Sequence, residues 1–220
     1  APYFCDHRHA EPEEGVEWML LADDLCRLCM GLGIERPYLV GHSMGAAVSC
    51  YAMLKEPSLF RSMVLLTPGG LSEYATVRIW IFKILYKYIW GKRFSDLDTA
   101  RKYYHETVYQ WNEKMEEVLN TRDRMMMHPE WKIVQRTVKA SYASTLQVSK
   151  EILPQIRQIK KPVLVLLAHN DNLVPNQEVK ANVEKNTKGW TIETFEQCGH
   201  NIQYDQPDKV IRKILEFLTG

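Results

Sequence analysis

A pentapeptide of the form Gly-x-Ser-x-Gly, residues Gly41 to Gly45, is the feature that most constrains the fold of this chain. An apolar run ends at its first glycine and a segment rich in small residues follows it, so the pattern predicts a strand, a sharp turn and a helix. Such a turn holds the middle residue, Ser43, in a strained backbone conformation and projects its hydroxyl above the sheet. The start of the helix directs N–H groups and the positive end of its dipole toward the same point. We therefore predict that Ser43 is a nucleophile in acyl transfer.

Uninterrupted apolar runs alternate with helical patterns in the rest of the chain. Strands are predicted at residues 37–41, 62–66, 162–167 and 190–195, and helices at 13–33, 44–55 and 207–219. The first helix is predicted from an apolar stripe formed by Val16, Met19, Leu20, Leu25, Leu28 and Leu32. The strand at 190–195 alternates apolar and polar residues, which places it nearer an edge. This order indicates an α/β fold with a mostly parallel sheet flanked by helices.

Between about residues 71 and 158 the strand pattern disappears, and the segment is helical, aromatic and rich in methionine. We expect a helical cap inserted between the two parts of the core, 1–70 and 159–220. Methionine and aromatic faces adapt to irregular apolar shapes, so the cap favours an apolar acyl or aromatic substrate. Within it, residues 77–94 combine basic side chains with a wide apolar face. They are interpreted either as a helix packed on its own domain or as a lid in peripheral contact with a membrane.

A histidine and a carboxylate, like Ser43, each follow a predicted strand. His200 follows the last predicted strand, and Asp171 follows the strand 162–167. Loops at the carboxyl ends of parallel strands gather ligand sites. A neutral histidine there can accept the proton of a serine and donate its other N–H to a carboxylate. Alone, His200 could be solvated and Asp171 could cap its own turn. Because serine, acid and histidine follow predicted strands in that order, we predict His200 as base and Asp171 as the residue that orients it.

The chain resembles the α/β-hydrolase family of esterases, lipases and related hydrolases. The matching pieces are Asp6-His7-Arg8, Ala22-Asp23-Asp24-Leu25, Gly41-His42-Ser43-Met44-Gly45, Asp171 with Leu173-Val174-Pro175, and Gly199-His200 before Gln206-Pro207. They extend over nearly all of the chain except the insertion. The resemblance implies Ser43 as nucleophile, Asp171 as acid, His200 as base and the backbone N–H of Met44 as one oxyanion donor.

The resemblance also brings out a difference at the N-terminus. Family members place several strands before the Asp-x-Arg turn, whereas this chain begins almost at that turn, with Tyr3-Phe4-Cys5 interpreted as the family's fourth strand. The predicted fold is thus an N-terminally short α/β hydrolase. We expect the second oxyanion donor, which the family takes from the loop after its third strand, to lie outside this chain.

These features predict a serine hydrolase that cleaves an ester-like bond through an acyl-enzyme, with no metal or organic cofactor. Carbon–carbon bond hydrolysis or acyl transfer with the same three residues is one alternative. A non-catalytic, shortened relative that binds a ligand or partner is another. The expected partner is a small acyl substrate.

Composition and the remaining reactive side chains suggest no other class of protein. The net charge is +1, so we expect no nucleic-acid partner. No signal peptide or membrane span is recognised, which predicts a soluble, cytoplasmic chain. Cys26 and Cys29 lie in a helical pattern and are expected in the core. His7 and His9 lack a third metal ligand, and His42 is expected to line the pocket or pack beside it. We expect His105, His128 and His169 on the surface or in the cap.

Overall fold

The computed structural model describes residues 18–73, 96–132, 135 and 145–220, with the side chains of 145–147 excepted. Several predictions concern residues outside these ranges. They are the strand at Tyr3-Phe4-Cys5, the pair His7 and His9, and the basic apolar stretch 77–94 with its possible membrane contact.

Four parallel strands form the sheet of the described residues. They are β1 (Leu39–His42), β2 (Met63–Leu66), β3 (Val163–Ala168) and β4 (Thr191–Phe195), in the spatial order β1-β2-β3-β4. Every residue of β2 and β3 is buried, because both faces of these central strands are covered. The more exposed β4 lies at one edge. The predicted α/β class and parallel sheet are confirmed.

Eight α-helices accompany these strands in the described residues. They are α1 (Trp18–Gly31), α2 (Met44–Lys55), α3 (Leu97–Glu106), α4 (Glu113–Met126), α5 (Thr145–Ile152), α6 (Asn176–Asn186), α7 (Ile202–Asp205) and α8 (Pro207–Thr219). Helices α2 and α8 have the predicted bounds. Helix α6 was not predicted, since Val179 and Val183 are its only buried side chains. In the described ranges, no helix has both the length and the apolar character needed to cross a bilayer.

Alternate residues of the strands divide the core between the two faces of the sheet. Leu65 and Val165 face a cluster that includes residues of α1, α2, α5 and α6. Val64 and Leu164 face a second cluster closed by Val210 and the apolar side of α8. The period-two geometry of a strand sends neighbouring side chains to opposite faces, which is why both sets are apolar. Both faces of the sheet are thereby covered by apolar side chains.

The helix predicted at 13–33 is present as α1 where the chain is described, and Leu25 of its apolar stripe packs against the core, but most of the stripe is not the buried face. Met19, Leu20, Leu28 and Leu32 are exposed, and the buried side chains of the helix are instead Trp18, Leu21, Ala22, Cys26 and Cys29. The helix is apolar on more than one face, so periodicity alone allowed two choices. Contact with α2 decided between them: Trp18, Ala22, Cys26 and Cys29 share one buried cluster with residues of α2. Cys26 and Cys29 are free thiols in the core, as predicted.

Helices α3, α4 and α5 lie between β2 and β3 in the chain, so the described part of the predicted insertion is helical. Arg101 of α3 donates to Glu116 and Asp123 of α4, which joins the two helices. Met115 and Leu119 of α4 are fully buried. The division of the chain into a core and a separate cap remains a prediction.

Candidate active site

Ser43 occupies the turn between β1 and α2 and has a strained backbone. Its φ is 52° and its ψ is −115°, a conformation that residues other than glycine rarely adopt. Three backbone hydrogen bonds hold it: the N–H of Ser43 donates to the carbonyl of Leu66 at 3.0 Å, and the carbonyl of Ser43 accepts the N–H groups of Ala46 and Gly69, both at 3.1 Å. A serine before a helix ordinarily caps it through the hydroxyl. The hydroxyl of Ser43 makes no such bond and is available for chemistry.

Gly41 allows β1 and α2 to approach closely on either side of this turn. A Cβ at residue 41 would lie 2.5 Å from the carbonyl oxygen of Gly45 and 2.7 Å from the Cα of Ala46. Both are backbone atoms of α2, which cannot move without displacing the helix. A Cβ at Gly45, in contrast, would meet no heavy atom within 4 Å. The two glycines of the motif therefore have different roles.

Replacing Gly41 by alanine is expected to destabilise the protein by about 3 kcal/mol, because the new methyl group overlaps backbone atoms. The matched variant Gly45→Ala is expected to be neutral or to stabilise by up to about 1 kcal/mol, since alanine is the better helix former. Urea unfolding of both variants measures the difference. Equal stabilities for the two would contradict the close approach at Gly41.

Asp171 lies in the loop after β3, with its side chain completely buried. Its Oδ1 accepts the N–H groups of Leu173 at 2.8 Å and Val174 at 2.9 Å, and its Oδ2 lies 2.9 Å from Nδ1 of His200. The carboxylate thus caps its own turn and also contacts the histidine. Burial by itself raises the pKa of Asp171. The hydrogen bond to His200, the charge of His200 and the two backbone N–H groups act in the opposite direction and together hold that pKa below its usual value. This balance keeps the side chain ionised.

His200 follows β4 and is 5% exposed. Because Nδ1 of His200 faces a carboxylate, Nδ1 carries the ring proton and donates a hydrogen bond to Asp171. The other ring nitrogen, Nε2, is therefore free of a proton and can accept one. The backbone carbonyl of His200 accepts hydrogen bonds from Nε2 of His42 at 2.9 Å and from Oγ1 of Thr67 at 2.8 Å. The loop is thereby attached to the ends of β1 and β2.

The three predicted residues lie at the same edge of the sheet. The ring of His42, the residue directly before Ser43, lies 4.8 Å from the ring of His200 between centroids. Asp171 contacts the other side of the His200 ring. In the described part of the chain the Ser43 hydroxyl has no hydrogen bond to His200. Hydrogen bonds between a nucleophile and its base are often long before substrate binds and tighten afterwards.

His42 was expected to line the pocket or pack beside it, and its side chain has in addition a specific hydrogen bond to the His200 carbonyl. Burial, and next the charge of the neighbouring His200, lower the pKa of His42 to about 4. The ring is therefore neutral at pH 7, with its proton on the Nε2 that donates. A neutral His42 ring also places no positive charge beside the ring of His200.

This pKa predicts a loss of stability in mild acid. Between pH 6.5, the usual pKa of the ring, and pH 4, the unfolded chain binds a proton at His42 that the folded chain does not. The contribution is therefore complete above pH 6.5 and decreases by about 3 kcal/mol as the pH falls to 4. The slope of unfolding free energy against pH should be shallower in His42→Gln, and unchanged in the control His128→Gln, whose ring is 64% exposed. Parallel slopes in His42→Gln and wild type would contradict the prediction.

The segment after α3 also holds the loop of His200. The N–H of Asn201 donates to the carbonyl of Thr107 at 2.9 Å, and its side-chain amide donates to the Thr107 hydroxyl at 2.7 Å. Asp205 accepts the N–H groups of Gly199 and Tyr109. Sequence analysis missed these residues and Thr67. Each contact joins positions more than 90 residues apart or, for Asp205 and Gly199, joins the short helix α7 to the irregular loop before it, so no local pattern predicts it.

The other predicted histidines, where the structure describes them, take no part in the hydrogen bonds that join His200 to Asp171, His42 and Thr67. His105 stacks on Trp111 with ring centroids 3.7 Å apart, and His169 is exposed near Glu196. The region that the structure describes contains no group of three or more His, Cys, Asp or Glu side chains arranged to hold a metal ion.

A parallel sheet covered by helices on both faces, with a strained serine between a strand and a helix, defines an α/β hydrolase. The model of the family described as serine aminopeptidase, S33, matches residues 28–207, so the chain belongs to this hydrolase family.

One similar protein of known sequence is 2-hydroxy-6-oxo-6-phenylhexa-2,4-dienoate hydrolase of Comamonas testosteroni. It is 29% identical over 200 residues, which cover 85% of this chain. The match spans only 64% of the relative's length, which is less than two thirds of that protein.

Solved structures show the same fold at lower identity. The hydrolase of the same name from Rhodococcus sp. strain RHA1 superposes with a TM-score of 0.73 and 22% identity, covering 95% of this chain and 75% of that one. An esterase from Exiguobacterium antarcticum superposes with a TM-score of 0.67 and 16% identity, covering 94% and 75%.

Proposed function

We propose that this protein is a serine hydrolase that cleaves an ester-like bond of a small, apolar acyl substrate through an acyl-enzyme. One observation carries the proposal. A histidine whose Nδ1 is 2.9 Å from a buried carboxylate lies with its ring 4.8 Å, between centroids, from the ring of the residue directly before a serine whose hydroxyl is not used in capping. Serine is a weak nucleophile until a base takes its proton, and this arrangement supplies the base.

In the proposed mechanism, Nε2 of His200 accepts the proton of Ser43 while Oγ attacks the substrate carbonyl. Asp171 holds His200 in the tautomer with the proton on Nδ1 and stabilises the imidazolium that forms. The imidazolium then protonates the leaving group, and the acyl-enzyme remains. Water, deprotonated by His200, attacks the acyl-enzyme and releases the acid.

The tetrahedral intermediates carry negative charge on the former carbonyl oxygen, and we assign the backbone N–H of Met44 as one donor to it. Met44 is the first residue of α2, so its N–H has no carbonyl partner within the helix. The helix dipole favours negative charge at the same end. We propose that a second donor comes from outside the described residues. Each such donor contributes roughly a hundredfold to a thousandfold in kcat.

Carbon–carbon bond hydrolysis is the second candidate, and the name of the Comamonas testosteroni relative favours it. The same serine, histidine and carboxylate could act on a ketone carbonyl, with a stabilised carbanion as leaving group in place of an alkoxide. A single fold supports several such reactions, so the family alone does not choose between them.

A panel of substrates separates the candidates. Esters of p-nitrophenol with acyl chains of increasing length test the first, and we expect kcat/KM to rise from acetate to longer chains. Release of benzoate from 2-hydroxy-6-oxo-6-phenylhexa-2,4-dienoate tests the second. Acetate as the best ester, with longer chains not cleaved, would contradict the apolar acyl pocket. Absence of both activities in folded protein that a fluorophosphonate does not label would favour a ligand-binding relative.

A further inference from the structure

The backbone carbonyl of His200 accepts hydrogen bonds from two side chains at the ends of neighbouring strands. Nε2 of His42 donates to it at 2.9 Å and Oγ1 of Thr67 donates to it at 2.8 Å. His42 is the last residue of β1, and Thr67 directly follows β2, whose last residue, Leu66, pairs with His42. Two side-chain donors on one loop carbonyl are more than its hydrogen bonding requires, since buried carbonyl groups are commonly satisfied by a single partner.

Thr67 adopts an unfavourable conformation in making this contact. It is completely buried, and its φ is 38°, a region in which a β-branched residue is a genuine outlier. Its N–H donates to the carbonyl of Leu166 at 2.8 Å, so the backbone is held by β3 while the hydroxyl contacts His200. Strain of this kind persists where the surroundings enforce it, and it concentrates at functional sites.

We propose that His42 and Thr67, which we call the carbonyl clamp, are positioning residues that fix the backbone of His200 and thereby the place of its Nε2. The inference rests on the proposed function, in which His200 is the base. Asp171 holds the ring at Nδ1 only, so the ring could still shift as the loop moves. Bonds to the carbonyl hold the other end of the residue, and the two attachments together determine where Nε2 lies.

The clamp also sets the separation of base and nucleophile. His42 is bonded covalently to Ser43, and the Ser43 N–H donates to the carbonyl of Leu66, the residue before Thr67. Each clamp residue is therefore one peptide away from an anchor of the serine. A displacement of about 1 Å at a reacting group can cost a hundredfold in rate, so such short connections matter.

Thr67→Val and Thr67→Ser form the matched pair that tests the clamp. Valine has the shape of threonine but lacks the donor, and serine retains it. We expect kcat of Thr67→Val to fall about tenfold with KM within twofold, because substrate contacts are unchanged and only the base is displaced. Thr67→Ser should remain within about twofold of wild type in both parameters. Should Thr67→Val fail to fold, His42→Phe and His42→Gln provide the same comparison, since glutamine retains a donor of similar reach.

The double variant tests whether the two donors act together. Either donor alone holds the carbonyl in part, so Thr67→Val with His42→Phe should lose more activity than the product of the two single losses. Multiplicative losses would mean that the residues act separately, which contradicts a clamp. Equal losses in Thr67→Ser and Thr67→Val would contradict it as well, because the hydroxyl would then be irrelevant.

A measurement without substrate separates this inference from the proposed function. The low-field proton resonance of His200 Nδ1–H, assigned by its absence in His200→Gln, reports the hydrogen bond to Asp171. We expect it to broaden or disappear in the double variant while circular dichroism is unchanged. An unchanged resonance and unchanged kcat would overturn the clamp. Loss of the resonance in a protein whose wild type neither hydrolyses substrate nor reacts with a fluorophosphonate would support the clamp and contradict the proposed function.

Discussion

Replacing Ser43 by alanine is expected to reduce kcat by roughly a millionfold and to abolish labelling by a fluorophosphonate. Alanine removes the oxygen that forms the acyl-enzyme and leaves the backbone turn in place. The Ser43 hydroxyl makes no capping bond, so the free energy of unfolding should change little. Single-turnover kinetics with a p-nitrophenyl ester, together with labelling of intact protein, provide the measurement.

Ser49→Ala is the matched control for this experiment. Ser49 lies in the same helix, α2, where its hydroxyl donates to the carbonyl of Gly45 at 2.8 Å. Its removal is expected to leave labelling intact and kcat within about twofold of wild type. Labelling that survives in Ser43→Ala would exclude Ser43 as the nucleophile and the proposed mechanism with it.

The second large effect is expected for Asp171→Asn, which should lower kcat by about ten thousandfold. The remaining oxygen can still accept the N–H groups of Leu173 and Val174, so the loop is expected to keep its shape. The amide nitrogen, however, would face Nδ1 of His200 and donate to it. The ring proton would then move to Nε2, which could no longer accept the proton of Ser43. The ratio of kcat for variant and wild type at pH 7 measures the loss.

The pH dependence of stability gives a second observable for this variant. Because the pKa of Asp171 lies below its usual value of 3.8 in the folded protein, the carboxylate stabilises the fold at higher pH. That contribution is lost as the pH falls below about 3.8 toward the folded-state pKa. Asp171→Asn should lack this acid-induced loss. His169→Gln, an exposed neighbour two residues away, should match wild type in kcat and in this pH dependence. An Asp171→Asn variant with more than a tenth of wild-type kcat would contradict the assigned role.

The strands and the nucleophile turn could be predicted because their signals are local. Continuous apolar runs mark β2 and β3, and the order glycine, serine, glycine between a strand and a helix marks the turn at Ser43. Each of these patterns occupies a few consecutive residues, whose conformational preferences and burial act together. The parallel arrangement followed from the alternation of strands and helices. The order of Ser43, Asp171 and His200 along the chain placed each residue after a strand.

The buried face of α1 could not be predicted in the same way. Its sequence offers apolar side chains on more than one face, and the stripe containing Met19 and Leu28 fitted helical periodicity well. The structure buries Trp18, Leu21, Ala22, Cys26 and Cys29 instead, and all of these except Leu21 share one apolar cluster with residues of α2. Which side of α1 is buried depends on its contact with α2, a helix that lies later in the chain.

The amino-acid sequence by itself therefore determined the α/β architecture, the strained serine turn and the candidate acid and base, since each depends on a short segment. Only the tertiary structure decided what holds His200 in place. His42 and Thr67 reach its carbonyl from the ends of two strands, and Thr107 reaches the next residue from the segment after α3. These hydrogen bonds join residues 158, 133 and 94 positions apart in sequence. They form only when folding brings the strand ends together, because hydrogen bonds depend on distances of about 3 Å and on direction, neither of which a linear pattern records.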